Sequence, residues 1–474
     1  MSQRRGVDPA PGPLEDFAQA FDDLFTRHSQ RDAFRRYLEG LLLSSERNKT
    51  LTALANTEPV KGATKPQAQH LQWFLSESTW SPELINQRRL DVLGRDAATA
   101  PDAQGALVID ETGDRKWGSK TAHVGRQYLG SIGKIDSGVV SVSSLWADDR
   151  LYVPVEVIPY TPAHWFDKGK ADEAFRTKPE IALDLVEQAL RQGVPFRAVV
   201  ADNFYGEHHD FKRGLVRLGV GYVLALKPSH TWWHKVGTIG SVEEVARAAR
   251  WREKKPGRWV PLARTFRDGH QERWWALEGV CMAYGPERAQ RLVIVTTDPA
   301  RLPELTTWYL VTNLPAPGTE RAQASRLPPA DLAEIVRLYG LRVWVEQSYK
   351  QVKGTLGWAQ YQVRSDVAIH RHWQLVFCAF SFCWWVLSHG GEERLPVEVA
   401  EQPAAVQATG MPTASEGVAV GKKKGVFRGV SAATGELAGG AAPGAGVVGA
   451  VPDAHALLAG VVRAAPAGVL AGAA

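Results

Sequence analysis

Two aspartates directly follow short apolar runs: Asp110 in LVIDETG and Asp202 in AVVADNFYG. In an open α/β sheet, ligands gather at the carboxyl ends of the strands, so an aspartate there stands on a rigid platform. Two such strands side by side would bring two carboxylates together. Close carboxylates repel and need a cation between them, and hard oxygen ligands suit Mg²⁺ or Mn²⁺. Strand-end aspartates also serve as turn and capping residues, which leaves a plain structural role open for each. The third carboxylate, Glu346, falls on a long helix expected from about Pro329 to Lys353. Tyr339, Arg342, Lys350 and Lys353 stand at −7, −4, +4 and +7 from it. At about 100° per residue, all four fall within roughly 40° of Glu346. A solvated face, with Glu346 and Lys350 as an ordinary i, i+4 pair, accounts for the same stripe. The chemical reading is a metal-ligating carboxylate flanked by cations that grip phosphate.

The elements that must hold these groups are partly legible. Residues 14 to about 95 read as helical: Phe17, Phe21, Leu24 and Phe25 form one apolar stripe, and Phe34, Leu38, Leu41 and Leu42 another. Ser81-Pro82-Glu83 is an N-cap, first-turn proline and acidic first turn for a helix through Leu93. Its Gln87-Arg88-Arg89 would face DNA or line a bundle surface. Strands are expected at 106–109, 139–142, 151–158, 196–201 and 222–226. A helix capped by the Thr177–Glu180 box and stopped by Gly193 lies between the third and fourth of these. Between about 229 and 305 the chain turns tryptophan-rich and reads as a separate β-rich insertion. The core then resumes with the strand TWYLVT and the long helix. Strands mixed with helices in this order predict an α/β core with a mixed sheet.

Composition narrows the classes. The chain has 474 residues, 44% hydrophobic and 23% charged, an ordinary globular balance that excludes a mainly disordered, collagenous or coiled-coil chain. Three cysteines exclude a disulfide scaffold. The N-terminus has no apolar signal region, and the most apolar run, Trp373 to Leu387, is too short for a bilayer and reads as a buried core helix. Net charge is +5, unevenly placed: residues 205–275 hold 14 Lys and Arg against 7 Asp and Glu, whereas residues 1–100 hold 13 of each. A mid-chain basic excess suits a polyanion, with a merely solvated basic surface as the alternative. No G-x-x-x-x-G-K-[ST] loop and no G-x-S-x-G elbow occurs, so nothing points to ATP or a serine nucleophile. Residues 391–474 contain one phenylalanine and no tryptophan or tyrosine, and nearly half are Ala or Gly. Such a tail has too little bulky apolar material to offset its ordering entropy, so it is expected to be disordered or poorly packed. A frameshift in a GC-rich gene and a genuine flexible extension both account for it.

The stretch YGLRVWVEQSYKQVK matches Y-x2-R-x3-E-x6-K. It resembles the signature around the third carboxylate in a large group of DDE transposases from bacterial insertion sequences. The stretches around Asp110 and Asp202 are similar to that group's first and second carboxylate regions, most of all in its DDE-superfamily endonuclease branch. The resemblance spans roughly residues 15–390. It implies an RNase H-like catalytic core with Asp110, Asp202 and Glu346 as a triad for two Mg²⁺, with Mn²⁺ as a substitute. Such ions stand about 3.5–4 Å apart and serve in-line displacement at phosphorus. Arg342, Lys350 and Lys353 would hold phosphates, and Tyr339 would support a phosphate or a displaced base. Trp308 resembles a tryptophan that stacks on a flipped base in some relatives; a core tryptophan is the alternative.

The implied layout is an N-terminal helical, DNA-end-binding domain (1–100), a core split into 101–228 and 306–390 around the basic insertion (229–305), and the tail (391–474). The implied activity is cleavage of the element's terminal inverted repeats and their joining to target double-stranded DNA, by a homodimer bound to both ends. It would act in the cytoplasm at the nucleoid, with no membrane association. A related endonuclease without strand transfer, or an inactive DNA-binding remnant, are the rival readings.

Overall fold

The computed structural model describes residues 9–43, 48–56, 66–235, 238–266, 269–279 and 290–389. The tail expectation therefore lies outside the described residues. Five helices come first: α1 (Pro13–Gln19), α2 (His28–Leu42), α3 (Leu51–Leu54), α4 (Pro66–Ser76) and α5 (Pro82–Gly94). Next come β1 (Ala106–Arg115), β2 (Gly125–Leu129), β3 (Lys134–Ala147), β4 (Tyr152–Tyr160), α6 (Lys178–Arg191) and β5 (Ala198–Ala201). They are followed by α7 (Asn203–Gly206), α8 (His209–Arg217), β6 (Tyr222–Ala225), β7 (Thr231–Lys235), β8 (Thr238–Ser241) and α9 (Val242–Ala248). The remainder comprises β9 (Val260–Thr265), β10 (Gln271–Gly279), β11 (Arg291–Thr296), β12 (Thr307–Thr312), α10 (Glu320–Ala324), α11 (Leu332–Gly340), α12 (Val343–Gly354) and α13 (Asp366–His389).

One ten-stranded mixed sheet organises the molecule, in the order β2-β3-β1-β5-β6-β12-β11-β10-β9, with β4 also paired to β3. β1, β5 and β6 are parallel neighbours, and the other pairings are antiparallel. Its central strands are apolar on both faces because helices cover both. Ala106, Val108, Ala198 and Val200 join one core with α1, α2, α4, α5 and α11–α13. Their alternates Leu107, Ile109, Val199 and Ala201 join a second core with α6, α8 and α9. This α/β class with a large mixed sheet is the one the sequence predicts.

Local signals hold where they are covalently close. The Ser81 hydroxyl accepts from Leu84 N at 3.1 Å to cap α5. Thr177 and Glu180 form the reciprocal box at the start of α6, and Gly193, at φ 72°, terminates it. Several expectations need correction. Phe17, Phe21 and Phe25 do not share one helix: α1 ends at Gln19, and a 3₁₀ turn over Asp22–Leu24 carries the chain on, although all three rings remain buried. Arg88 and Arg89 do not face DNA. Arg88 is clamped bidentately to Asp23, and Arg89 is fully buried between α5, β4 and α13. The segment read as a separate insertion contributes β9, β10 and β11 to the main sheet, because β11 pairs with β12 and β10 with β11. Among the described residues, only β7 and β8 form a small sheet of their own. The apolar helix α13 begins at Asp366, earlier than its apolar run. No helix among the described residues is long and apolar enough to cross a membrane.

Candidate active site

β1 does not end at Asp110 but runs five residues past it, because β3 pairs with it through Arg115–Gly138. What ends there is the parallel pairing with β5, whose last register pair is Ile109–Ala201. Asp110 and Asp202 are the next residue on each strand, so the parallel register aligns them. Asp202 Oδ1 accepts from Phe204 N at 3.0 Å and caps the short helix α7, so the capping role and the alignment with Asp110 coexist. Asp110 is buried, with Oδ1 accepting from Glu111 N at 2.8 Å.

The third carboxylate arrives from a broken helix. The expected single helix from Pro329 to Lys353 is interrupted between α11 and α12 at Leu341–Arg342. Bonds of the i→i−3 type there, such as Arg342 N to Tyr339 O at 3.1 Å and Val345 N to Arg342 O at 3.1 Å, tighten the turn. Arg342 sits at the junction as the residue before α12. Its Nη2 reaches Asp110 Oδ2 at 3.4 Å and its Nη1 reaches Glu346 Oε1 at 3.2 Å. One guanidinium thus lies within reach of two of the three carboxylates. Its Nε is buried without a partner among the described residues.

Electrostatics mark the same spot. Burial pushes the Asp110 carboxyl up to about 7, and the Asp202 charge adds to this while Arg342 and the Glu111 N–H oppose it. Burial also raises the Tyr339 phenol to about 12; Arg342 opposes this, and the charges of Asp202, Asp110 and Glu346 reinforce it. Tyr339, on α11, therefore shares the field of all three acids. Lys350 is exposed one turn beyond Glu346. Lys353 is turned to the extension of β1, where its Nζ pairs with Asp114 at 2.7 Å. Trp308 on β12 is half-buried and engaged by protein groups: the Arg264 guanidinium lies 4.7 Å from its ring, Trp274 4.8 Å and Tyr339 5.0 Å.

Tyr205 and Tyr349 escaped the sequence reading. Tyr205 is fully buried and Tyr349 half-buried, and both phenols are raised well above their ordinary range, first by burial and then by charges that include Asp110. Tyr349 bonds Ser143 Oγ at 2.6 Å, whereas the Tyr205 hydroxyl has no partner among the described residues. Their signal was available as spacing, since each tyrosine lies three residues after a carboxylate of the triad.

Among the described residues no three His, Cys, Asp or Glu side chains converge closely enough to hold an ion. Arg342 supplies the positive charge between Asp110 and Glu346. The donor set nonetheless suits a hard divalent cation: all its atoms are carboxylate oxygens. Burial is the first cause of the raised Asp110 carboxyl, and a cation in contact with it would offset that cost.

A mixed sheet with two aspartates at neighbouring parallel strands, approached by a helix that carries glutamate and arginine, is compatible with a phosphoryl-transfer nuclease. The sequence matches the DDE superfamily endonucleases over residues 20–280, and the chain belongs to that family. It is also 31% identical over 364 residues to a probable transposase for insertion sequence element IS701 from Microchaete diplosiphon, covering 77% of this chain and 85% of that protein. Glu346 lies beyond the segment matched by the family.

Proposed function

We propose that this chain is the transposase of an insertion sequence, which cuts the element's ends and joins them to target DNA. The observation that carries the reading is Arg342 set between Asp110 and Glu346, with Asp202 directly after the parallel strand that pairs with β1 up to Ile109. Asp110, Asp202 and Glu346 would hold divalent cations, Mg²⁺ or Mn²⁺; two such ions supply Lewis acidity to the attacking and leaving oxygens of an in-line displacement. Accepting a cation requires Glu346 to exchange its contact with Arg342, which frees that guanidinium to grip the scissile phosphate through Nη and the unpartnered Nε. The Tyr339 phenol, held protonated, donates a hydrogen bond to a phosphate oxygen. Lys350 adds charge along the strand, and Lys353 joins it by leaving Asp114. Trp308 stacks on a displaced base once Arg264 withdraws.

The N-terminal helices and the basic segment 229–305 bind the terminal inverted repeats, with phosphate contacts giving affinity and few base contacts giving specificity. A homodimer holds the two ends. Its place of work is the nucleoid in the cytoplasm.

The test is incubation of the protein with cloned element ends, Mg²⁺ and a target plasmid. Joined products are expected. Cut but unjoined ends would reduce the activity to an endonuclease, and no cleavage with either Mg²⁺ or Mn²⁺ would leave an inactive remnant.

A further inference from the structure

The β2–β3 hairpin carries chemistry that the active-site reading does not use. β1 stops pairing at Arg115–Gly138, whereas β2 pairs with β3 from Gly125–Gly138 out to Leu129–Lys134. The tip over residues 125–137 is therefore a two-stranded ribbon, and it folds back along the extension of β1, where Leu129 packs on Gly113 and Ser131 bonds its carbonyl. Between Asp114 and Asp136 the sequence has five Lys and Arg and no Asp or Glu. Two of the five have structural duties: Arg115 pairs with Asp136 at 2.9 Å, and Lys116 donates to the carbonyls of Ala359 and Tyr361 at 2.7 and 3.0 Å. Lys120, Arg126 and Lys134 are exposed. Among them stand large exposed side chains: Trp117 at 77%, Tyr128 at 58% and Ile135 at 59%. Tyr128 and Ile135 are direct cross-strand partners.

The ribbon is mounted rigidly. Leu129 is fully buried against Gly113 and Gly138, where any Cβ would collide with it. Ser131 Oγ donates to Gly113 O at 2.6 Å, and His123 ties the preceding loop to Thr161 and Asp366. A stiff, exposed, apolar and cationic surface marks an interaction site. With Asp136 neutralised by Arg115 and no other carboxylate in the tip, charge complementarity selects a polyanion.

We propose that this ribbon is a DNA-docking element that enters the major groove of the duplex held in the active site. A major groove about 12 Å wide admits a two-stranded ribbon. Lys120, Arg126 and Lys134 meet phosphates, and Tyr128 and Ile135 meet base edges. The position follows from β1, which links the ribbon directly to Asp110. Ser131 at the tip bonds Gly113, three residues from Asp110 along β1, so at about 3.3 Å per residue the tip stands about 10 Å along the strand from the aspartate. That corresponds to about three base pairs from the cleaved phosphate, at about 3.4 Å per step. This inference rests on the transposase reading, and the experiment separates the two.

Full-length protein carrying Lys120→Gln, Arg126→Gln and Lys134→Gln is titrated with a labelled element-end duplex across a salt series, with its fold checked by circular dichroism. Losing three phosphate contacts should reduce the log–log salt slope by about 2.7 in magnitude and weaken binding at least tenfold. In otherwise unaltered protein, a benzophenone side chain placed at exposed Ile132 should crosslink the duplex about three base pairs from the cut. An unchanged slope, or a crosslink only to a second copy of the chain, overturns the ribbon proposal. If the ribbon crosslinks DNA but Glu346→Gln cleaves normally, the catalytic reading fails and the ribbon stands. A wild-type chain that binds no duplex overturns both.

Discussion

Replacing Arg89 by methionine tests whether the buried network joining α5, β4 and α13 holds the helical layer to the sheet. Arg89 donates to Asn86 Oδ1, to Ser381 Oγ at 3.0 Å and to Val155 O at 3.1 Å, and its guanidinium lies 5.4 Å from the Phe377 ring. Asn86 relays the charge: its Nδ2 donates at 2.8 Å to Glu156, a buried carboxylate that also accepts from Gln374 on α13. Arg89→Met leaves Asn86 Oδ1 and Ser381 Oγ without their donor, at about 1–3 kcal/mol each, while Val155 O keeps Asn86 Nδ2 at 2.9 Å. Against this stands the desolvation of the cation, which pulls Arg89 from 12.5 down to about 10. At about 1.4 kcal/mol per pH unit, removing the charge recovers roughly 3 kcal/mol. At the upper end of these ranges the net loss is about 3 kcal/mol, which meets the low end of the about 3–5 kcal/mol for breaking a buried ionic network.

Urea unfolding followed by tryptophan fluorescence and by circular dichroism reads this directly. Arg89→Met combined with Glu156→Gln should be less destabilised than the sum of the single changes, with a coupling of about 1–3 kcal/mol. A single variant within about 0.5 kcal/mol of wild type, the scale of a surface substitution, would refute the reasoning, as would additivity in the cycle.

At the active site, Glu346→Gln keeps shape and removes a carboxylate, so gel-shift binding of element ends should persist while cleavage falls at least 100-fold; near-normal cutting would withdraw Glu346 from the site. Burial, with a smaller contribution from Lys116, lowers His372 from 6.5 to about 4, so the unfolded chain binds the extra proton. Stability should fall as pH drops from 6.5 through about 4, approaching a loss of about 3 kcal/mol, and urea midpoints of His372→Gln should lack that component. Binding to terminal-repeat DNA should weaken with salt at a log–log slope near −5 if about six phosphates are met, and a slope near zero would remove the basic segment from the interface. Truncation after His389 should leave urea stability and cleavage nearly unchanged, and a truncated chain that neither folds nor cuts would show that the tail contributes to the core.

Legibility followed sequence distance. Ser81 and the Thr177–Glu180 box were readable because a cap is settled by residues three apart. The apolar runs at 106–109 and 198–201 were readable because burial on both faces demands unbroken hydrophobicity. The break at Leu341–Arg342 was not readable from the stripe, since a 3₁₀ turn shifts a helix face too little to disturb its periodicity. Gly340 lies there against Arg264, where a Cβ would come within 3.2 Å of Nη2, a constraint imposed by a strand some 75 residues upstream. The apparent insertion could not be told from an independent unit, because strand pairing partners are not encoded locally. β11 joins the main sheet only through β12, which follows it in the chain.

By itself the sequence determined the residue types and local periodicities: two aspartates after apolar runs, a glutamate with arginine one turn before it, and a family resemblance strong enough to name the chemistry. It also determined the charge of the 115–135 ribbon, since composition survives any fold. Only the tertiary structure decided that Asp110 lies inside a strand, that Arg342 stands between two carboxylates, that Lys353 is held by Asp114, and that Arg89 is core rather than interface. The physical reason is common to all four. A side chain's charge is intrinsic, but its partners and its exposure to water are set by contacts between segments far apart in the chain, and those exist only once the sheet has assembled.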